Sequence, residues 1–249
     1  MTASASKGLF GVARRLLSRV RRGVSQFIDE LGRDLAGPRS VPAHVREGLP
    51  DAKRELLKHQ FQRDFEQRTG ILARRLATGE LNVQQWRGLM AIEIRNLHVA
   101  ARVMGAGGFG NLTEADLVAI EKAVREQLNY LTRWAQQLGS MDSISEDQVR
   151  IRASLYGGAS NETYFRAYVA AAGVPDLPFY PAQKTECRTN CGCGWDIKPL
   201  EGQGNFDAYW RRHKNDSCTT CIARERACNP LQIRGGSYEP PSGANLYAA

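Results

Sequence analysis

Six cysteines are the residues of this chain best suited to chemistry, and all of them fall between Cys187 and Cys228. They run Cys187-x3-Cys191-x-Cys193, then 24 residues, then Cys218-x2-Cys221, then Cys228 after six more. A C-x2-C pair turns two thiolates toward one ion from a tight turn, and two such corners make the tetrahedral S4 site that suits structural zinc. Cys218-Thr219-Thr220-Cys221 is the firm half of such a site. The other half must draw two ligands from Cys187, Cys191 and Cys193, and the spacing leaves open which two. Four of these five thiols are therefore expected to hold Zn2+, with His213 as an alternative ligand and Cys228 as a buried or free thiol. The competing readings are reduced cysteines packed in a small core, disulfides, and an iron–sulfur cluster. A disulfide framework would spread its cysteines along the chain, so clustering without an evident export signal favours a metal.

The same segment argues for a structural ion over a catalytic one. It holds no H-E-x-x-H, and none of the four histidines has a glutamate two residues later, as a zinc deaminase would need. It is also poor in apolar residues, so ligation is expected to provide much of its stability. Elsewhere, Gly105 to Gly110 lacks the lysine of a phosphate-binding loop and reads as a helix–helix connection. Ser154 and Tyr156 have no neighbouring base in sequence, and His59 and His98 fall inside helical stretches. The sequon Asn161-Glu162-Thr163 reads as accidental. No catalytic residue is expected, and the chain reads as non-enzymatic.

The elements that must position the cysteines are mostly helical. Over 51–78, Leu56, Leu57, Phe61, Phe65, Ile71, Leu72 and Leu76 recur at helical steps and stop at Gly79. Asn82 is a good N-cap for a helix through Met104, with Trp86, Met90, Ile94 and Leu97 in its apolar set. Thr113 caps a third, with Asp116 at the capping-box position and Ile120, Val124, Leu131 and Trp134 in its stripe. Ser145 caps a fourth through Leu155, which Gly157-Gly158 interrupts before Asn161 to Ala172 resume. Pro175, Pro178 and Pro181 mark an extended connector, and alternation at Cys193, Trp195 and Ile197 predicts a short strand or hairpin. The expected fold is mainly α: an antiparallel helical bundle with a small C-terminal zinc-knuckle-like module. Its parts are a basic amphipathic helix at 1–35, a linker at 36–50, a helical body at 51–174, the cysteine-rich module at 175–236 and a flexible tail at 237–249.

The formal net charge is +8 and the pI about 9.4, a balance suited to a polyanionic partner. It concentrates at the N-terminus, where Lys7, Arg14, Arg15, Arg19, Arg21 and Arg22 precede the first acid, Asp29. The five arginines are candidate contacts to nucleic acid or a membrane surface, against a plainer reading in which the helix docks its apolar face on protein. No apolar run is long enough to span a bilayer, and the N-terminal stretch lacks a cleavage site, so it is expected to be retained.

Several fragments resemble a known family. They are GELNVQQWRGLMAIEIRNLHVAARVMGAGGFGNLTEADL (79–117), QLNYLTRWAQQL (127–138), RIRASLYGGASNETYFRA (150–167), CRTNCGCGWDI (187–197), YWRRHKNDSCTTC (209–221) and NPLQIRGG (229–236). In this order they resemble minor head, or head-morphogenesis, structural proteins of tailed bacteriophages and prophages, over roughly residues 55 to 236. The resemblance implies a virion component at the head or portal region, made in the host cytoplasm. It also implies portal, capsid or adaptor proteins as partners and several copies per particle. The basic N-terminal helix and Cys228 depart from the pattern. The rival reading is a zinc-containing nucleic-acid-binding protein.

Overall fold

The computed structural model describes residues 51–182, 191–213, 217–243 and 246. The basic helix expected at 1–35, with Arg14, Arg15, Arg19, Arg21 and Arg22, and the linker at 36–50 lie outside the described residues, as does Cys187.

Four long helices make up most of the described chain. Helix α1 spans Asp51–Ala77 and buries Leu57, Phe65, Leu72 and Leu76 along one face; Leu56 and Ile71, read from sequence as part of that stripe, are exposed. Gly79, at φ +77°, lets the chain leave the helix in the left-handed conformation that glycine adopts without penalty. Helix α2, Val83–Gly105, starts on a full capping box between Asn82 and Gln85 and buries Trp86, Met90, Ile94 and Leu97. Helix α3, Glu114–Gly139, starts on a second box between Thr113 and Asp116. Each cap is worth about 1 kcal/mol.

Helix α4 runs unbroken over Glu146–Ala171, so the predicted interruption at Gly157-Gly158 does not occur. A glycine pair costs helix propensity, but tertiary packing offsets it here: Phe65 of α1 lies within ordinary contact of the position where a Gly157 Cβ would be. Helix α2 is central and packs on α1, α3 and α4. Cross-contacts fix directions. Arg68 meets Glu93, and Arg54 reaches Gly105, so α1 and α2 run antiparallel. Trp86 meets Trp134 edge-on, and Arg102 meets Asp116, which does the same for α2 and α3. Gln62 meets Gly157, and Arg74 meets Glu146, for α1 and α4.

After α4 the connector tucks Leu177, Phe179 and Tyr180 into the core. Strands β1 (Gly194–Pro199) and β2 (Phe206–Arg211) form the predicted hairpin, with Trp195 opposite Trp210. Two elements were not foreseen: helix α5, Thr219–Ala227, and strand β3, Leu231–Ile233, which pairs antiparallel with β2. Among the described residues the cysteine-rich region shares its core with the helices. Leu57, Ala101, Met104, Tyr164 and Phe165 from the helices share one cluster with Phe179, Trp195, Trp210, Cys191, Cys193, Cys221 and Cys228. Within the segment expected as a tail, the Tyr238 hydroxyl donates to the Asp176 carbonyl and Leu246 is buried. Among the described residues no helix is long and apolar enough to cross a membrane.

Candidate metal centre

Cys191 and Cys193 sit two residues apart at the entry to β1, where extended chain sends alternate side chains to the same side. Cys221 lies in the first turn of α5. Fold closure brings these three together: all are buried, and their sulfurs lie within 4.8 Å of one another. The Cys191 and Cys221 sulfurs are 3.6 Å apart. Zinc–thiolate bonds of about 2.3 Å in a tetrahedron put ligand sulfurs about 3.8 Å apart. The spacing therefore fits three corners of one tetrahedral ion, and the described cysteines are all free of disulfides.

Without an ion, electrostatics keep the Cys221 thiol neutral. The Cys221 thiol is driven far up from its ordinary range, first by its hydrogen-bonding contacts with Cys191 and Cys193, then by burial. Three thiolates cannot share a dry pocket unless a cation lies between them. The N-terminus of α5 adds a modest pull toward negative charge at Cys221. The three donors are soft and buried, a set that suits a thiophilic metal ion.

Cys218 is the N-cap of α5 and is half-buried, packing against the shared core. It stands one turn before Cys221 but is not one of the three mutually close thiols. Its C-x2-C partner is thus presented by a helix start, not by a free tight turn. Cys228 caps the other end of α5 and is buried, as expected; burial pushes its thiol up to about 12, with Arg224 pulling the other way. His213 packs on the cysteine run: a Cβ on Gly192 would stand 2.7 Å from its ring.

Glycines 192 and 194 permit close approach from two directions. His213 covers Gly192, and the Phe165 ring of α4 covers Gly194 so tightly that a Cβ there would stand 2.2 Å from it. Asn161, one turn before Phe165 on α4, donates from Nδ2 to the Cys191 carbonyl at 3.2 Å. Asn161 is buried within a helix with both ends of its amide engaged, which rules out the sequon as an acceptor in the folded protein. No local signal in the sequence ties Asn161 to the cysteines. The alternating Cys-Gly-Cys-Gly run was the one visible sign that something presses on this strand.

Behind the thiols, Trp195 and Trp210 are buried and meet at 5.2 Å, each also against Phe179. The Trp195 indole N–H donates to the Phe179 carbonyl. Fully buried Arg224 lies over Phe179 and Trp210 and donates to the carbonyls of Tyr180 and Leu246. These aromatics back the thiol cluster from the core side. Elsewhere, the Ser154 hydroxyl donates to Ile151 of its own helix, and Tyr156 stacks on Trp134 in the core. His98 is buried with Nδ1 2.8 Å from the Thr163 hydroxyl, and burial lowers it to about 4.

Comparison with models of protein families, with curated proteins and with solved structures finds no match for this chain.

Proposed function

We propose that this chain is a non-enzymatic structural component of a tailed-phage virion, at the head or portal region, braced by one structural zinc ion. The observation that carries the zinc half is the buried trio Cys191, Cys193 and Cys221, spaced for a tetrahedral ion. Cys218, one helical turn before Cys221, supplies the fourth thiolate in this reading. The ion then ties β1 to α5, two elements far apart in sequence. The virion half rests on the resemblance of fragments between residues 79 and 236 to minor head proteins, which implies portal, capsid or adaptor neighbours.

The test is mass spectrometry of purified virions together with metal analysis. The expected result is this chain in the particle with zinc in proportion to its copies. Its absence from particles whose genome encodes it would remove the virion reading, whatever the metal content. For the ligand set, Cys218→Ser should lose zinc and Cys228→Ser should retain it. Full zinc retention in Cys218→Ser would pass the fourth position to Cys187 or His213.

A second reading, a zinc-containing nucleic-acid-binding protein, draws on the basic helix expected at the N-terminus and the cysteine module, and on one further feature of the fold. His59, Arg63, Arg211 and His213 are all exposed. Beyond burial, His59 feels Lys58, His213 and Arg63 as positive neighbours against Glu55 alone as a negative one. Salt-dependent binding of duplex DNA, weakened by Arg63→Ala with Arg211→Ala, would favour this reading.

A further inference from the structure

We infer that Asn161 is a positioning residue for the metal centre: from α4 it fixes the Cys191 peptide, and through it the Cys191 thiolate, against the helical body. The inference rests on the metal reading above.

The geometry leaves the amide one orientation. A carbonyl only accepts, so Nδ2 must face the Cys191 oxygen, 3.2 Å away and buried. Oδ1 then accepts from Gln62 Nε2 of α1 at 3.0 Å, and Gln62 also reaches the Gly157 carbonyl at 3.4 Å. A relay of side-chain amides thus runs from α1 through α4 to the first ligand. One turn further along α4, Phe165 presses on Gly194 beyond the second ligand, Cys193. Asn161 and Phe165 therefore hold the Cys191–Gly194 run at both ends.

A positioner is needed here for a chemical reason. A C-x2-C pair closes on an ion within its own turn, but C-x-C leaves the first thiol's direction to whatever holds its peptide. The Cys191 peptide is held by a helix that contributes no ligand. The knuckle and the helical body are then one unit, which agrees with the continuous core. Partners of this kind typically set ligand orientation, and their loss costs metal affinity about ten- to a hundred-fold.

The experiment is cobalt(II) titration of the reduced full chain, read by thiolate-to-cobalt absorption, with thermal unfolding alongside. Asn161→Ala should bind about ten- to a hundred-fold more weakly while reaching the native absorption at saturation. Thr69→Ala removes a buried bond to the Phe65 carbonyl within α1, away from Cys191 and from the Gln62–Asn161 relay, so it should lower the melting temperature and leave affinity unchanged. An Asn161→Ala affinity equal to native, with only the melting temperature lowered, overturns the inference. If Asn161→Ala does not fold, Gln62→Ala decides, with a several-fold loss expected and no loss overturning it. A native chain that binds no cobalt would sink the metal reading itself, whereas native binding with unaltered variants sinks this inference alone.

Discussion

Gly105 sets how closely α2 and α4 can pack. A Cβ at that position would stand 2.2 Å from the Tyr164 carbonyl oxygen and 2.7 Å from the Ala167 Cβ. Both belong to the rigid part of a helix, so no side-chain rotation relieves the overlap. The helices must separate by roughly 1 Å, which loosens the dispersion contacts around Met104 and Tyr164. Overpacking costs about 1–3 kcal/mol, and more when backbone must move. For Gly105→Ala we expect a net loss of about 3 kcal/mol, after crediting the gain in helix propensity. Gly88 lies in the same helix with nothing within 4 Å of its added Cβ. Gly88→Ala should therefore stabilise by about 0.5–1 kcal/mol. With about 2–4 °C per kcal/mol in a chain of this size, the two variants should melt about 7–16 °C apart. Circular dichroism melts at matched metal content measure this. Equal melting temperatures for the two alanines would refute the argued closeness of the α2–α4 crossing.

Other substitutions probe other parts. Asp116→Ala should cost about 3–5 kcal/mol in urea unfolding, because it strands buried Arg102 and breaks the box that starts α3; a loss under about 1 kcal/mol would contradict this. His98 is neutral in the fold with its pKa lowered to about 4, so its contribution is present above about pH 6.5 and is lost as pH falls toward 4, by about 3 kcal/mol in all. The stability difference between the native chain and His98→Leu should shrink or reverse over that window, and a pH-independent difference would count against it. Gly194→Ala should weaken metal binding by displacing Phe165, and adding Phe165→Ala should restore part of the affinity. No recovery in the double variant would show that the ring is not what the Cβ strikes.

The helical part of the fold was legible because its signals are local. Asn82, Thr113 and Ser145 announce helix starts through bonds made within three residues, and the stripes of α2 and α3 repeat at helical steps. The Gly157-Gly158 pair misled because its support comes from Phe65, some ninety residues earlier. The hairpin showed in the alternation at Cys193, Trp195 and Ile197, whereas β3 spans only three residues and gives no period to read. Around the thiols, sequence supplied the ligand types but not their convergence. Cys193 and Cys221 meet because β1 and α5 pack on one core, and Asn161 reaches Cys191 across thirty residues of chain. The tail composition looked loose, yet Leu246 is buried and its carbonyl accepts from Arg224. Such a contact has no counterpart in local composition.

The central claim is that buried thiols from the entry to β1 and from α5 converge on one zinc ion. Elemental analysis of the purified, reduced full chain, alone and as Cys221→Ser, tests it most directly. The account predicts one zinc per native chain, lost in the variant and removed by a strong chelator together with thermal stability. A native chain free of zinc when prepared with the metal present, or a Cys221→Ser chain that keeps it, would contradict the claim.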